Sequence, residues 1–241
     1  MKKSIVTLLF VGLTLSAWAV DLPKQGFGFH IGYAQPTLRL NSSNSLIAKD
    51  SLVNVTKLLG LKVGVTYDAS YIAGFGSSMG INYTFATNNG DWTKTGLYDY
   101  PRTRTQAYYH ELEIFVDWQY KFEVAKETYL ILYTGPTVQV GLAYNTVKRT
   151  QLMEGADITK SKYDRMGKNE VDRPDEDLRR LNITWGVGAG FQYQRYFLRG
   201  GYDFGLFNPY KNQQFEGTDR YTRGRLDQWS VKIGMYLWYN D

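Results

Sequence analysis

Cysteine is absent from this 241-residue chain, which excludes disulfide staples, a lipid-modified N-terminal cysteine and any thiol chemistry. Long apolar runs are missing too. The run over residues 5–15 is shorter than the roughly 20 residues a membrane-crossing helix requires, and no later stretch is apolar for that length. Histidine occurs only at His30 and His110, which leaves little general-base chemistry to distribute. Neither sign of charge dominates: the formal charge is +5, or +3 once Lys2 and Lys3 are removed, too modest to suggest a nucleic-acid partner. No Gly-rich loop opens a helix and no Cys/His cluster has metal-ligand spacing, so neither a nucleotide nor a metal cofactor is expected.

What the chain does have is alternation. Residues 1–19 carry Lys2 and Lys3, then an apolar stretch, then small residues at Ala17 and Ala19, the layout of a secretory signal peptide with cleavage expected after Ala19. Residues 20–241 form segments of about ten residues with an apolar or aromatic side chain at every second position, the period of a strand. Phe27, Phe29, Ile31 and Tyr33 alternate with Gly28, His30, Gly32 and Ala34, and Leu59, Leu61, Val63 and Val65 with Gly60, Lys62, Gly64 and Thr66. The same pattern returns around residues 78–85, 108–120, 130–142, 182–193, 196–205 and 229–239. The mean hydropathy of −0.39 does not conflict with a membrane barrel, because only alternate strand residues meet lipid while the lumen and loops are polar. Aromatic residues make up 16% of the chain, among them 20 tyrosines, in line with aromatic belts at membrane interfaces.

Connection lengths alternate as well. Long polar stretches near residues 41–58, 87–105, 145–180 and 208–225 take turns with short links at 68–70, 123–127 and 194–195. The longest is densely charged with both signs and is expected to be solvated and mobile. Pro136 cannot donate to a ladder, so a local bulge is expected there. Eight strands with both ends on one side predict an all-β, eight-stranded antiparallel transmembrane β-barrel with long extracellular loops and short periplasmic turns. A hairpin hidden in a long loop would raise the count to ten.

Several segments carry a family resemblance: ELEIFVDWQYKF over residues 111–122, LYTGP over 132–136, GVGAG over 186–190 and GYDFGL over 201–206. In this order they make the chain resemble the outer-membrane β-barrel proteins of Bacteroidetes labelled porin family or PorT-like. It departs from the family pattern at Phe115, where such proteins often carry proline. The resemblance implies an integral outer-membrane protein, in some members linked to secretion machinery, and no shared cofactor.

The inward positions collect Lys62, Glu111, Glu113, Asp117, Arg199, Asp203 and Lys232. An eight-stranded barrel is just wide enough for side chains to fill, so these charges are expected to pair across a closed lumen. Lipid hydrolysis would need a nucleophile and an acid beside one histidine, and the sequence places neither. Arg102 and Arg104 are read as lying in a polar loop. Trp92, Tyr98 and Tyr100 in the second loop and Tyr210, Phe215 and Tyr221 in the fourth are candidate contact residues for a surface partner. The expected role is therefore non-enzymatic: a structural, adhesion or secretion-associated surface protein. Its expected partners are outer-membrane lipid, the barrel assembly machinery and a surface or secretion-complex protein. The alternatives are a lipid-acting enzyme and a small porin.

Overall fold

The computed structural model describes residues 25–40, 57–72, 74–94, 101–164, 166, 178–209 and 224–239. Residues 1–24 lie outside this set, and with them the expected signal peptide. The strands are β1 (Gln25–Leu40), β2 (Leu59–Ile72), β3 (Phe75–Asn89), β4 (Thr93–Lys94), β5 (Arg102–Ala125), β6 (Thr128–Gln151), β7 (Ile158–Asp164), β8 (Leu181–Tyr193), β9 (Tyr196–Gly205) and β10 (Gly224–Tyr239). Eight of them close an antiparallel ring in the order β1, β2, β3, β5, β6, β8, β9, β10, with β10 pairing back onto β1 from Gly26↔Tyr239 to Leu40↔Gly224. Closure removes the exposed edges that would otherwise carry unpaired N–H and C=O groups. β4 and β7 stand outside the ring as short extensions on β5 and β6.

The ring is inside-out relative to a water-soluble protein. Ile31, Leu61, Ile114, Leu132, Leu198 and Ile233 face outward and are exposed, Ile233 to 58%. On the inner face Lys62, Glu113 and Arg199 are no more than 2% exposed. Apolar side chains around the outer wall and ionisable ones in the interior are the distribution that lipid, not water, selects. Aromatic rings gather at the two ends of this wall. Tyr33 packs on Trp229 with centroids 5.0 Å apart, Phe85 on His110 at 4.9 Å, and Tyr120 on Phe122 at 4.5 Å.

Three tight links lie at one end. Ala125↔Thr128 and Tyr193↔Tyr196 are the last pairs before two-residue turns, in which Glu127 and Gln194 adopt positive φ. The third follows the last β2–β3 pair, Ile72↔Phe75, and includes Gly74 at φ 88°. Residues 68–70, read from sequence as this turn, instead extend β2 and pair with β3 through Asp68↔Ser78 and Ser70↔Gly76. The polar triplet looks like a turn only when the inward side of the wall is mistaken for solvent.

The expected bulge at Pro136 does not form. Pro136 pairs with Trp185 on β8, and the register on the β5 side is the same from Phe115↔Thr137 to Trp118↔Thr134. The rungs opposite Val116 and Asp117 drop out between those pairs, so the missing N–H is accommodated without an inserted residue. The irregularities fall elsewhere, two of them beside tight turns, at Tyr71 and Val124, and two more on β6 and β10. Leu142 is the extra residue opposite His110/Glu111, and Leu237 the extra residue opposite Phe27/Gly28. Each reverses the alternation beyond it, which is why Trp238 is exposed although it follows Leu237.

β5 and β6 are 24 residues each and run well past the wall. Arg102 and Arg104 therefore sit on a strand and not in a loop, and the first part of the supposed mobile connection at 145–180 is an ordered hairpin of β6 and β7. The hidden hairpin exists, yet the ring stays at eight because β7 pairs only with β6.

Candidate functional site: the polar lumen

Inside the ring, two carboxylates organise the side chains. Asp68, near the tight-turn end, accepts from Arg199 Nη2 at 2.5 Å, from the Tyr236 hydroxyl at 2.5 Å and from Gln119 Nε2 at 3.3 Å, with Lys121 Nζ at 3.2 Å. Arg199 also donates to Ser78 Oγ at 2.9 Å and to Gln119 Oε1 at 3.2 Å, and its guanidinium lies 5.2 Å over the Phe197 ring. Lys121 donates to Gln192 Oε1 at 3.0 Å. One knot thus joins β2, β3, β5, β8, β9 and β10.

Toward the long-loop end Glu113 forms the second knot. Its Oε2 accepts from Lys62 Nζ at 2.8 Å and Asn82 Nδ2 at 2.9 Å, and its Oε1 from Thr84 at 3.1 Å and Gln228 Nε2 at 2.7 Å. Asn82 Oδ1 meets His30 Nε2 at 2.7 Å. Glu111 accepts from the Tyr109 hydroxyl at 2.6 Å. In the ring order β5 and β10 are diametrically opposite, as are β3 and β9. The Glu113–Gln228 and Ser78–Arg199 bonds therefore cross the full lumen.

Between the knots the interior is looser. Lys232 Nζ sits 4.5 Å over the Phe115 ring, and Asp117 and Asp203 point into the same region. No hydrogen bond or ion pair joins these three charges to a partner among the described residues. Tyr133 crosses this level against Gly188 and Gly201, where a Cβ would run into its ring. Above the second knot Leu38, Leu58, Ala86, Ala107, Tyr109, Tyr144, Met166 and Leu178 close the mouth as an apolar cluster, with Leu226 against it.

Of the seven inward charges read from sequence, Lys62, Glu113 and Arg199 are in the knots, Glu111 is tied to Tyr109, and Asp117, Asp203 and Lys232 share the loose middle. Sequence reasoning missed Asp68, Lys121, Tyr236, Asn82 and Gln228 as members. Counting by two from Thr66 reaches Asp68, and from Gln119 reaches Lys121, so the period carried the signal for both, although the misplaced turn at 68–70 hid Asp68.

The two histidines lie on opposite faces of the wall. His30 is buried against Asn82, while His110 faces outward with Nδ1 2.6 Å from the Tyr83 hydroxyl. Neither touches a serine or a carboxylate in these bonds, and no cluster of three metal-ligating side chains occurs among the described residues. Trp92 carries the Arg102 guanidinium 5.1 Å over its ring. Tyr98, Tyr100, Tyr210, Phe215 and Tyr221 lie outside the described residues.

No family model matches the chain, and no curated protein matches it. Among solved structures it is similar to Ail, the attachment invasion locus protein of Yersinia pestis, at 9% identity over 90% of this chain and 100% of that one, with a TM-score of 0.38. Neisserial surface protein A is similar at 13% identity over 88% and 97% of the two chains, TM-score 0.38. The N-terminal β-barrel domain of Pseudomonas aeruginosa OprF follows at 9% identity over 86% and 97%, TM-score 0.25. Likenesses this remote leave the functional reading to the chain's own geometry.

Proposed function

We propose that this chain is a non-enzymatic integral outer-membrane protein whose barrel is a closed scaffold, with its function carried by the long-loop end. The supporting observation is the pair of knots that cross the lumen between opposite strands, since hydrogen bonds to charged groups are each worth about 1.5 to 3 kcal/mol and hold the plug in place. The apolar cluster at the mouth supports the same reading. Outer-membrane placement is inferred from the lipid-selected outer wall, the even strand count with both ends at the tight-turn side, and the signal-like N-terminus. Insertion would then use the barrel assembly machinery, and the extended β5–β6 region would meet a surface or secretion-complex partner.

Planar-bilayer recording of the refolded full chain tests the closed lumen. The expected result is no steady conductance; regular steps from heat-modifiable, folded protein would instead establish a small porin. Loss of a lipid-modifying activity on His30→Ala or His110→Ala would overturn the non-enzymatic reading.

A further inference from the structure

The four strands that rise beyond the wall, β4, β5, β6 and β7, make a small sheet with two unlike faces. On β5 the outward positions of the wall are the even ones, Ile114, Leu112, His110 and Tyr108, and the same parity continues to Gln106, Arg104 and Arg102. On β6 the extra residue Leu142 switches parity, so Asn145, Val147, Arg149 and Gln151 continue the outer face. Cross-strand pairing then lines up Gln106–Val147–Lys162, Arg104–Arg149–Lys160 and Lys94–Arg102–Gln151–Ile158 on that face. Six cations, Lys94, Arg102, Arg104, Arg149, Lys160 and Lys162, share it with Asp164 as the acid, one rung nearer the wall, opposite Asn145. The other face carries Thr103, Thr105, Thr150, Thr159, Ser161 and Lys148.

The middle rung is the informative one. Like charges directly opposite on neighbouring strands repel, yet Arg104, Arg149 and Lys160 occupy three adjacent strands with no carboxylate in the row. Arg104 Nε donates only to the backbone carbonyl of Gly90, at 2.8 Å, and Arg149 Nε is buried without a hydrogen-bond partner among the described residues. Such a row is stable when an anion lies over it. Its height identifies the anion. At about 3.3 Å per residue and a tilt of about 40°, Arg104 stands roughly 10 Å above Tyr108, at the top of the aromatic wall. From just above the headgroup layer, long Arg and Lys side chains reach down to it on the side that faces lipid.

We propose that this cationic face binds the phosphate groups of anionic lipids in the leaflet around the barrel. The contact clamps the β4–β7 sheet down onto the membrane surface. Arg104 and Arg149 supply fork-shaped donors suited to phosphate and Lys160 a point charge. The inference rests on the membrane placement proposed above.

The test uses the full chain refolded into phosphatidylcholine nanodiscs doped with diphosphorylated lipid A, and reads by mass spectrometry which lipid stays bound after detergent extraction. The wild type is expected to retain lipid A several-fold over phosphatidylcholine. The triple variant Arg104→Gln/Arg149→Gln/Lys160→Gln is expected to lose that preference, while Lys148→Gln, on the opposite face, and the charge-preserving Arg104→Lys/Arg149→Lys retain most of it. Heat-modifiable migration verifies that each variant is folded, and Arg149→Gln alone, expected to lower retention severalfold, serves if the triple variant is not. Unchanged retention in folded Gln variants overturns the proposal, as does displacement of the lipid by millimolar inorganic phosphate. A wild-type chain that folds without lipid or detergent would overturn the membrane placement itself, whereas one that inserts and retains both lipids alike overturns this inference alone.

Discussion

The two knots in the lumen and the loose region between them hold the same kinds of residue and differ in how these are satisfied. Asp68 has two cations, one amide and the hydroxyls of Tyr236 and Thr66 within hydrogen-bond or ion-pair range, and Glu113 has one cation, two amides and a hydroxyl. Asp117, Asp203 and Lys232 face the same interior without such bonds among the described residues. The difference teaches that burial alone does not make a plug: a buried charge braces the wall only where donors from several strands converge on it, because its desolvation must be offset bond by bond.

Removing an organising carboxylate breaks the contrast most severely. Asp68→Ala leaves Arg199 and Lys121 buried without their anion and is expected to cost about 3 to 5 kcal/mol, read as a lower denaturant midpoint for unfolding from lipid vesicles. Glu113→Ala strands only Lys62, so its loss should fall at the lower end, about 3 kcal/mol. The paired replacement Lys62→Met/Glu113→Leu, which removes both charges, is expected to be milder than Glu113→Ala. Were it equally damaging, the charges would be bracing the ring by something other than their mutual pairing. In the loose region Asp117→Asn should change the unfolding free energy by less than about 1 kcal/mol, since no direct bond is lost. A loss as large as that of Asp68→Ala would mean that this carboxylate is as firmly held as the knots. Smallest of all, Tyr83→Phe on the outer wall deletes the bond to His110 and should cost about 0.5 kcal/mol, leaving heat-modifiable migration intact.

Much of this was legible before any coordinates. The alternation of Phe27, Phe29, Ile31 and Tyr33 with Gly28, His30, Gly32 and Ala34 states which side chains face which way, because the side-chain period of a strand is two whatever it pairs with. Errors arose where a local signal was judged without its surroundings. Asp68, Ala69 and Ser70 have turn composition, and only the opposite wall, bringing Arg199 and Tyr236 to Asp68, makes that position a strand interior. Arg102 and Arg104 read as loop residues because the strand that extends them is paired by β6, more than 40 positions away in the chain.

The sequence by itself determined the strand-by-strand division into lipid-facing and lumen-facing residues, since it follows from local periodicity, whereas eight rather than ten ring strands was decided by pairing, because β7 meets only β6. Only the tertiary structure decided which charges meet. Arg199 and Asp68 are 131 positions apart, and their contact depends on the stagger between strands and on where Leu142 and Leu237 interrupt it. A shift of one residue in either would turn a bracing side chain from the lumen to the lipid.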